Sequence, residues 1–342
     1  MKKSKRHILV IRFSAMGDVA LTIPALLSVV ESHPEIHITL ITRPFFASFI
    51  PAHSRIKAVG INLENYKGLM GLRKLTKQLS NEHQIEEVID LHNVLRSRTI
   101  TSFFKLKGIK VTTFNKNRSA KKEIISHQSN EKLPHVTNQY LNTFAKAGYE
   151  SKLMEGPWIK PETKPQLTEF LSQNNLNSKE AKWIGIAPFA GHEAKIWGIE
   201  KIKNLISELT AKNYSVFLFG GGNSEIEQLN DLENKENKVF SVAGKFHFHQ
   251  ELALMKKLNY LVCMDSSNMH FATLVGTPVV SIWGATTPLI GFYPLNNEHL
   301  MVQVSEKNKN KLTLSSYGNK ESENGYDWRN EIAVKRVLEL LS

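Results

Sequence analysis

The chain holds a single cysteine, Cys263, in 342 residues. A disulfide framework is therefore excluded, and the apolar neighbours of that thiol mark it as a core residue. Nothing approaches the run of about 18 uninterrupted apolar residues that a membrane span needs. The basic start, Met1-Lys-Lys-Ser-Lys-Arg-His, leads into an apolar run of only Ile8 to Ile11, which Arg12 interrupts, so it does not read as a secretory signal. These absences point to a cytoplasmic protein. Aspartate is scarce as well: Asp18, Asp90, Asp231, Asp265 and Asp327 are the full set. No two lie within three residues, so the close pair that grips a divalent ion against a diphosphate is missing. GxGxxG, GxxxxGK[ST], HExxH and GxSxG are absent too, which disfavours dinucleotide enzymes, P-loop enzymes, zinc peptidases and α/β-hydrolases. His247-Phe-His249 is too small a ligand set for a metal. Neither a metal nor a cofactor is expected.

What the chain does have is positive charge in one half. Residues 1–160 carry 25 Lys+Arg against 12 Asp+Glu, a balance of +13, while residues 161–342 carry 19 against 20, a balance of −1. Such asymmetry suits an anionic partner: nucleic acid, a membrane surface or an acidic substrate. Solubility alone is the plainer alternative.

The pattern along the chain is strand then helix, repeated. His7–Phe13, Ile36–Thr42, Glu87–Leu91 and Ile109–Phe114 read as strands, with helical segments over Val19–Val30 and around Leu72, Leu75 and Leu79. Gly156–Pro165 holds three prolines in ten residues and reads as a linker. The alternation then restarts, with strands at Trp183–Ala187, Ser215–Phe219, Tyr260–Met264 and Pro278–Trp283 and helices at Lys201–Lys212, from Ser224, and at Asn268–Val275. Short buried strands alternating with helices give parallel sheets covered on both faces. The expected class is α/β, with two doubly wound Rossmann-like domains facing a central cleft. Their bounds are 1–158, a linker over 159–180, and 181–325. A tail, 326–342, is amphipathic through Ile332, Val334, Val337, Leu338 and Leu341 and should dock, whereas 303–326 reads as a mobile loop.

In such folds ligands gather at the carboxyl ends of strands. After the first strand comes Ser14-Ala-Met-Gly-Asp18, where Asp18 is either a helix cap or a general base. Gly220-Gly221-Gly222 lets backbone approach a nucleotide, although most such turns are only turns. Asp265-Ser266-Ser267-Asn268-Met269-His270 follows a buried strand and opens a helix, a ready anion site. Lys195, in Gly191-His-Glu-Ala-Lys-Ile-Trp197, has the reach and charge to meet a pyrophosphate.

These residues fall in blocks that resemble glycosyltransferase family 9, the bacterial heptosyltransferases of lipopolysaccharide core assembly. The opening HILVIRFSAMGDVALTIPALLSVVESHPEIHITLITRP resembles the family's N-terminal signature, and Val88–Ser97 its second block. Lys195-Ile-Trp197 resembles the Lys-x-Trp element, and MDSSNMHFATLVGTPVVSIWGATTP, residues 264–288, the donor-site block. In order, these blocks cover residues 8 to 288. The resemblance implies the GT-B fold, with an acceptor-binding N-terminal domain, a nucleotide-sugar-binding C-terminal domain and a final helix packing back on the first. It implies Asp18 as the catalytic base and Lys195, Asp265, Ser266, Ser267, Asn268, Met269, His270, Gly221 and Gly222 around the donor. Ser14, Arg96 and Ser97 are expected at the acceptor. Two departures bear on the donor base and sugar rather than on the reaction type. Ala187-Pro-Phe-Ala stands where many members carry hydroxyls, and Ser267 where glycine is usual.

The implied reaction is inverting transfer of a heptose or related sugar, from ADP-heptose, to a lipopolysaccharide core or related surface glycan. A base takes the acceptor proton, and cations meet the leaving diphosphate. The acceptor would be an anionic lipid-linked saccharide, with peripheral contact at the inner face of the cytoplasmic membrane and no nucleic acid. The competing reading is a nucleic-acid-binding protein using the basic half, which lacks any recognisable module for that purpose.

Overall fold

The computed structural model describes residues 5–176, 182–320 and 325–341. The chain divides into two units: one holds the chain up to Asn117 together with Pro134–Trp158, the other Arg118–Leu133 together with Ile159 onward. Lys+Arg against Asp+Glu stands at 20 to 10 in the first and 24 to 22 in the second.

In the first unit β1 (Arg6–Ile11), β2 (Ile36–Thr42), β3 (Ile56–Gly60), β4 (Glu87–Asp90) and β5 (Lys110–Thr113) pair in the order β3-β2-β1-β4-β5, all parallel. β1 is the central strand, and its Ile8, Leu9, Val10 and Ile11 are wholly buried because helices cover both faces. The chain reaches β2 through α1 (Met16–Ala20) and α2 (Thr22–Ser32), and β3 follows α3 (Pro44–Ala47). Then α4 (Gly68–Glu82) leads to β4 and α5 (Leu95–Leu106) to β5. Leu72, Leu75 and Leu79 of α4 recur at helical spacing and pack with Ile100 and Phe104 of α5 over Leu9, Ile11 and Val88.

The second unit begins with an excursion, α6 (Arg118–Ile125), before the chain returns to the first unit for α7 (Val136–Ala147). The excursion is anchored by Ile124, by Leu133 N–H donating to Leu289 O at 2.8 Å, and by Lys132 over the Tyr293 ring. After α8 (Pro165–Gln173) come β6 (Trp183–Ala187), α9 (Ile199–Ala211), β7 (Ser215–Leu218), α10 (Asn223–Asp231) and β8 (Val239–Ser241). α11 (Phe248–Met255), β9 (Tyr260–Met264), α12 (Ser267–Val275), β10 (Val279–Ile282), β11 (Met301–Val302) and α13 (Val334–Leu338) complete it. Its sheet runs β11-β10-β9-β6-β7-β8, again parallel. In both sheets the strand order reverses beside the first strand, between β1 and β4 and between β6 and β9.

Three expectations need correcting. Within 159–180, the described residues are not a free linker: Leu167 and Leu171 of α8 are buried, and the Gln250 amide binds Lys164 N–H and Glu162 O. Residues 177–180 of that span lie outside the described residues. The tail packs in the core of the second unit. Ile332, Val337 and Leu341 join Ile202 and Leu205 of α9 there, and α13 packs against α9. Finally, 303–320 is packed: Val304 and Leu314 are buried, and Ser315 N–H donates to Ala285 O. Residues 321–324 of that loop lie outside the described residues.

Candidate functional site

Each unit brings a carboxylate and a cation together at its switch point. In the first, the turn after β1 runs into α1, and Asp18 is the third residue of that helix. Its Oδ2 accepts the Ala15 N–H at 3.0 Å, capping the helix, and also the Arg12 guanidinium at 2.6 Å. Oδ1 has no partner among the described residues. Arg12 is 5% exposed, donates to Leu91 O at 2.6 Å and lies over the ring of Tyr140, whose buried hydroxyl is unpartnered. Asp18 thus caps the helix through one oxygen and leaves the other open.

The chain after β4 supplies the second wall. Asp90, wholly buried, accepts the His92 and Asn93 amides and the Ser97 hydroxyl; burial raises its pKa above the ordinary carboxylate value. His92 faces Ser14 Oγ at 3.3 Å; burial, with Arg12 beside it, lowers its pKa to about 3, so the ring is neutral. Ser97 was expected at the acceptor, but its hydroxyl is 0% exposed and engaged by Asp90 and Val94 N–H. It ties the loop to Asp90 and to the Val94 main chain. Arg96, one residue earlier, is exposed.

In the second unit Lys195 ends a short 3-10 turn after β6 and meets Asp265, just past β9, at 2.9 Å. Asp265 Oδ2 also accepts Thr286 Oγ1 at 2.8 Å, and the two charged side chains are 13% and 15% exposed. Asp265 is the only partner of Lys195 among the described residues, so two ammonium protons are unengaged there. Ser266 caps α12 in position only, since its buried hydroxyl has no partner and the first-turn amides carry no side-chain cap. An anion there would satisfy both. Ser267 and Asn268 open the helix beside it, and His270 is 6% exposed. Met269 has its side chain wholly buried, so it offers main chain alone. At the end of β7, Gly221 N–H already donates to Glu225 Oε2 at 2.9 Å, so the expected open amide is taken; Gly222, at φ +87°, needs glycine to start α10.

The tail holds the Lys195 turn in place. Arg329 donates to Glu193 O and Ile196 O, Trp328 Nε1 to Ala194 O, and Trp197 Nε1 to Ile332 O. Gly318 lies against the lysine stem, where a Cβ would fall 2.3 Å from Cγ and Cδ. Sequence reasoning missed Arg12, Asp90, His92, Thr286 and this clamp. Only Arg12 left a signal, as a charge breaking an apolar strand.

The sequence pattern described as glycosyltransferase family 9 (heptosyltransferase) matches residues 72–320. The lipopolysaccharide core heptosyltransferase OpsX of Haemophilus influenzae is 22% identical over 98% of this chain and 93% of its own. Lipooligosaccharide heptosyltransferase 2 of the same organism is 24% identical over 98% and 99%. Among solved structures, a family 9 glycosyltransferase from Veillonella parvula superposes with a TM-score of 0.77 at 20% identity, covering 100% of this chain and 98% of that one. Escherichia coli heptosyltransferase WaaC with ADP superposes with a TM-score of 0.69 at 18% identity, covering 98% of each. Two parallel doubly wound sheets, a carboxylate–cation pair at each switch point and this match over most of its length lead to one assignment: the chain belongs to glycosyltransferase family 9 and is a glycosyltransferase of GT-B fold.

Proposed function

We propose that the protein transfers a heptose from ADP-heptose to the core of a lipopolysaccharide or a related surface glycan, with inversion at the anomeric carbon. The observation that carries this reading is the half-engaged carboxylate of Asp18. Arg12 and the Ala15 amide fix Oδ2, and Oδ1 stays open to take the proton of an acceptor hydroxyl. The oxygen so freed attacks the anomeric carbon from the face opposite the diphosphate, which inverts the centre in a single displacement. As the bond to the diphosphate breaks, negative charge grows on its oxygens. Lys195 and the amides opening α12 are the groups suited to receive it, and their chemistry needs no metal. A glycosidase would instead set two carboxylates about one bond.

The names of the relatives support the donor and acceptor classes, and the excess charge of the first unit suits an anionic, lipid-linked acceptor. No helix among the described residues is long and apolar enough to cross a membrane, and we propose peripheral contact at the inner face. Arg96 and Ser14 are the proposed acceptor contacts. The test is transfer to a heptose-deficient core, run in excess chelator. The expected product gains the mass of one heptose when ADP-heptose is the donor. Turnover with a different nucleotide sugar alone would replace the donor assignment, and a strict need for added magnesium would overturn the leaving-group argument.

A further inference from the structure

Isolated exposed apolar side chains are ordinary, but here they collect. Phe45 is 60% exposed, Leu69 63%, Met70 72% and Leu95 84%. Phe45 lies in α3 just after β2, Leu69 and Met70 open α4 after β3, and Leu95 opens α5 after β4. In a parallel sheet those are all the carboxyl-end edge, so one rim of the first unit carries all four.

The same rim is basic. Arg43 and Lys67 sit at the N-caps of α3 and α4, and Arg96 in the first turn of α5. Glu64 is the acid among them. Its hydrogen bond to Lys67 holds its carboxyl below the ordinary range, with Arg96 and Arg43 adding to the effect, so the starts of α3, α4 and α5 share one field. Neither α4 nor α5 has an acid in its first turn, although helix dipoles favour one there. On α4 the inward face is Leu72, Leu75, Thr76 and Leu79; the outward face starts with Leu69 and Met70 and continues with Arg73, Lys74 and Lys77. Apolar tips ringed by long cationic side chains match a bilayer interface, where the tips enter the acyl boundary and the cations snorkel to phosphates.

We infer that this rim is a docking surface for an anionic phospholipid bilayer, with Phe45, Leu69, Met70 and Leu95 entering the interface and the cations about them meeting headgroup phosphates. The inference deepens the proposed peripheral contact and rests on it. Charge complementarity selects an anionic surface, and three of the four tips, Leu69, Met70 and Leu95, have no ring to stack on a base, which favours lipid over nucleic acid.

The test is flotation of the whole protein with phosphatidylglycerol–phosphatidylethanolamine vesicles against pure phosphatidylcholine vesicles. The wild type should float with the anionic vesicles only. Leu69→Glu/Met70→Glu should weaken that binding by roughly tenfold or more, by removing insertion and adding repulsion. Leu69→Ser/Met70→Ser should fall between, and Tm should hold in both because the side chains are exposed. Equal flotation of wild type and both variants, no preference for anionic lipid, or retention on duplex DNA in place of vesicles would overturn the surface. Heptose transfer to a delipidated, soluble core should be unchanged in the variants. Its failure in the wild type would strike the proposed reaction and not the surface.

Discussion

The two units share a topology and a device, and bury the device differently. In the first, Arg12 is the hidden member of the pair, 6% exposed at its side chain, and Asp18, at 21%, is the one that reaches outward. In the second, Asp265 has Oδ2 doubly engaged, by Lys195 and Thr286, and the lysine keeps the free valences. The first pair sets a buried cation against a more open carboxylate; in the second the two side chains are about equally buried, at 13% and 15%, and the lysine makes one contact where the aspartate makes two. Charge follows the same division, with 20 basic to 10 acidic residues in the first unit and 24 to 22 in the second. Both pairs stand at the switch point, where doubly wound sheets bind their ligands.

The sharpest way to break this comparison is Asp18→Asn. Asparagine can still cap the helix and accept from Arg12, but it cannot take a proton. Loss of a general base should lower kcat about 10²–10⁴-fold. Donor affinity should be unchanged, and Tm should drop modestly because a mostly buried arginine loses its counter-ion. A pair with only a structural role would show the same drop in Tm with kcat within a few-fold. Turnover, donor titration and melting on one preparation separate the two.

The same operation on the other pair should act on binding instead. Lys195→Ala removes the charge-assisted contact and leaves Asp265 facing the diphosphate without its cation. ADP affinity should fall by about 1.5–3 kcal/mol, measured by calorimetry. Unchanged affinity would take Lys195 out of the donor site.

Much of this division was legible. β2, β6 and β9 coincide with the apolar runs that announced them, and the turns after β1 and β9 were singled out from strand-end chemistry alone. β8 and β11 escaped because they are only three and two residues long, and β3 because it is only partly buried, so neither alternation nor a long apolar run marks them. At Ser97 and Gly221 the structure adds what the sequence could not carry: each is tied to a carboxylate, Asp90 or Glu225, and spacing says nothing of who already holds a donor. The tail's apolar stripe foretold docking but not its partner, because the contacts from Trp328 and Arg329 to Ala194 and Ile196 join residues more than 130 positions apart.

That clamp gives the next test. At Gly284 a Cβ would stand 1.9 Å from the Trp328 ring, so Gly284→Ala must push the indole off Ala194 O. Overpacking of this kind costs about 1–3 kcal/mol. Stability should fall and ADP affinity with it, because the Lys195 turn loosens. A loss of stability with ADP affinity intact would show that the clamp is unrelated to the lysine.

The smallest effects concern pH, and here the units differ in sign. His92 is buried, and its pKa is lowered to about 3 from an ordinary 6.5. The unfolded chain therefore binds a proton below 6.5 that the folded one refuses. Stability from this group is complete above pH 6.5 and is lost as pH falls from there toward 3. Glu251, on α11 of the second unit, is raised to about 7 by burial, so its contribution is complete below pH 4.5 and is lost as pH rises toward 7. Glu251→Gln should accordingly stabilise the protein at pH 7 by about 1–2 kcal/mol and do little at pH 4.5. His92→Gln should remove about 1–2 kcal/mol of the wild type's loss between pH 7 and pH 5 and leave pH 8 unaltered. Urea midpoints at these pH values, with m-values held equal, measure both. Parallel pH profiles for wild type and His92→Gln would mean that the imidazole is solvated and titrates normally. The neutral ring beside Ser14 would then drop out of the account of the first site, leaving Arg12 and Asp18 to define it.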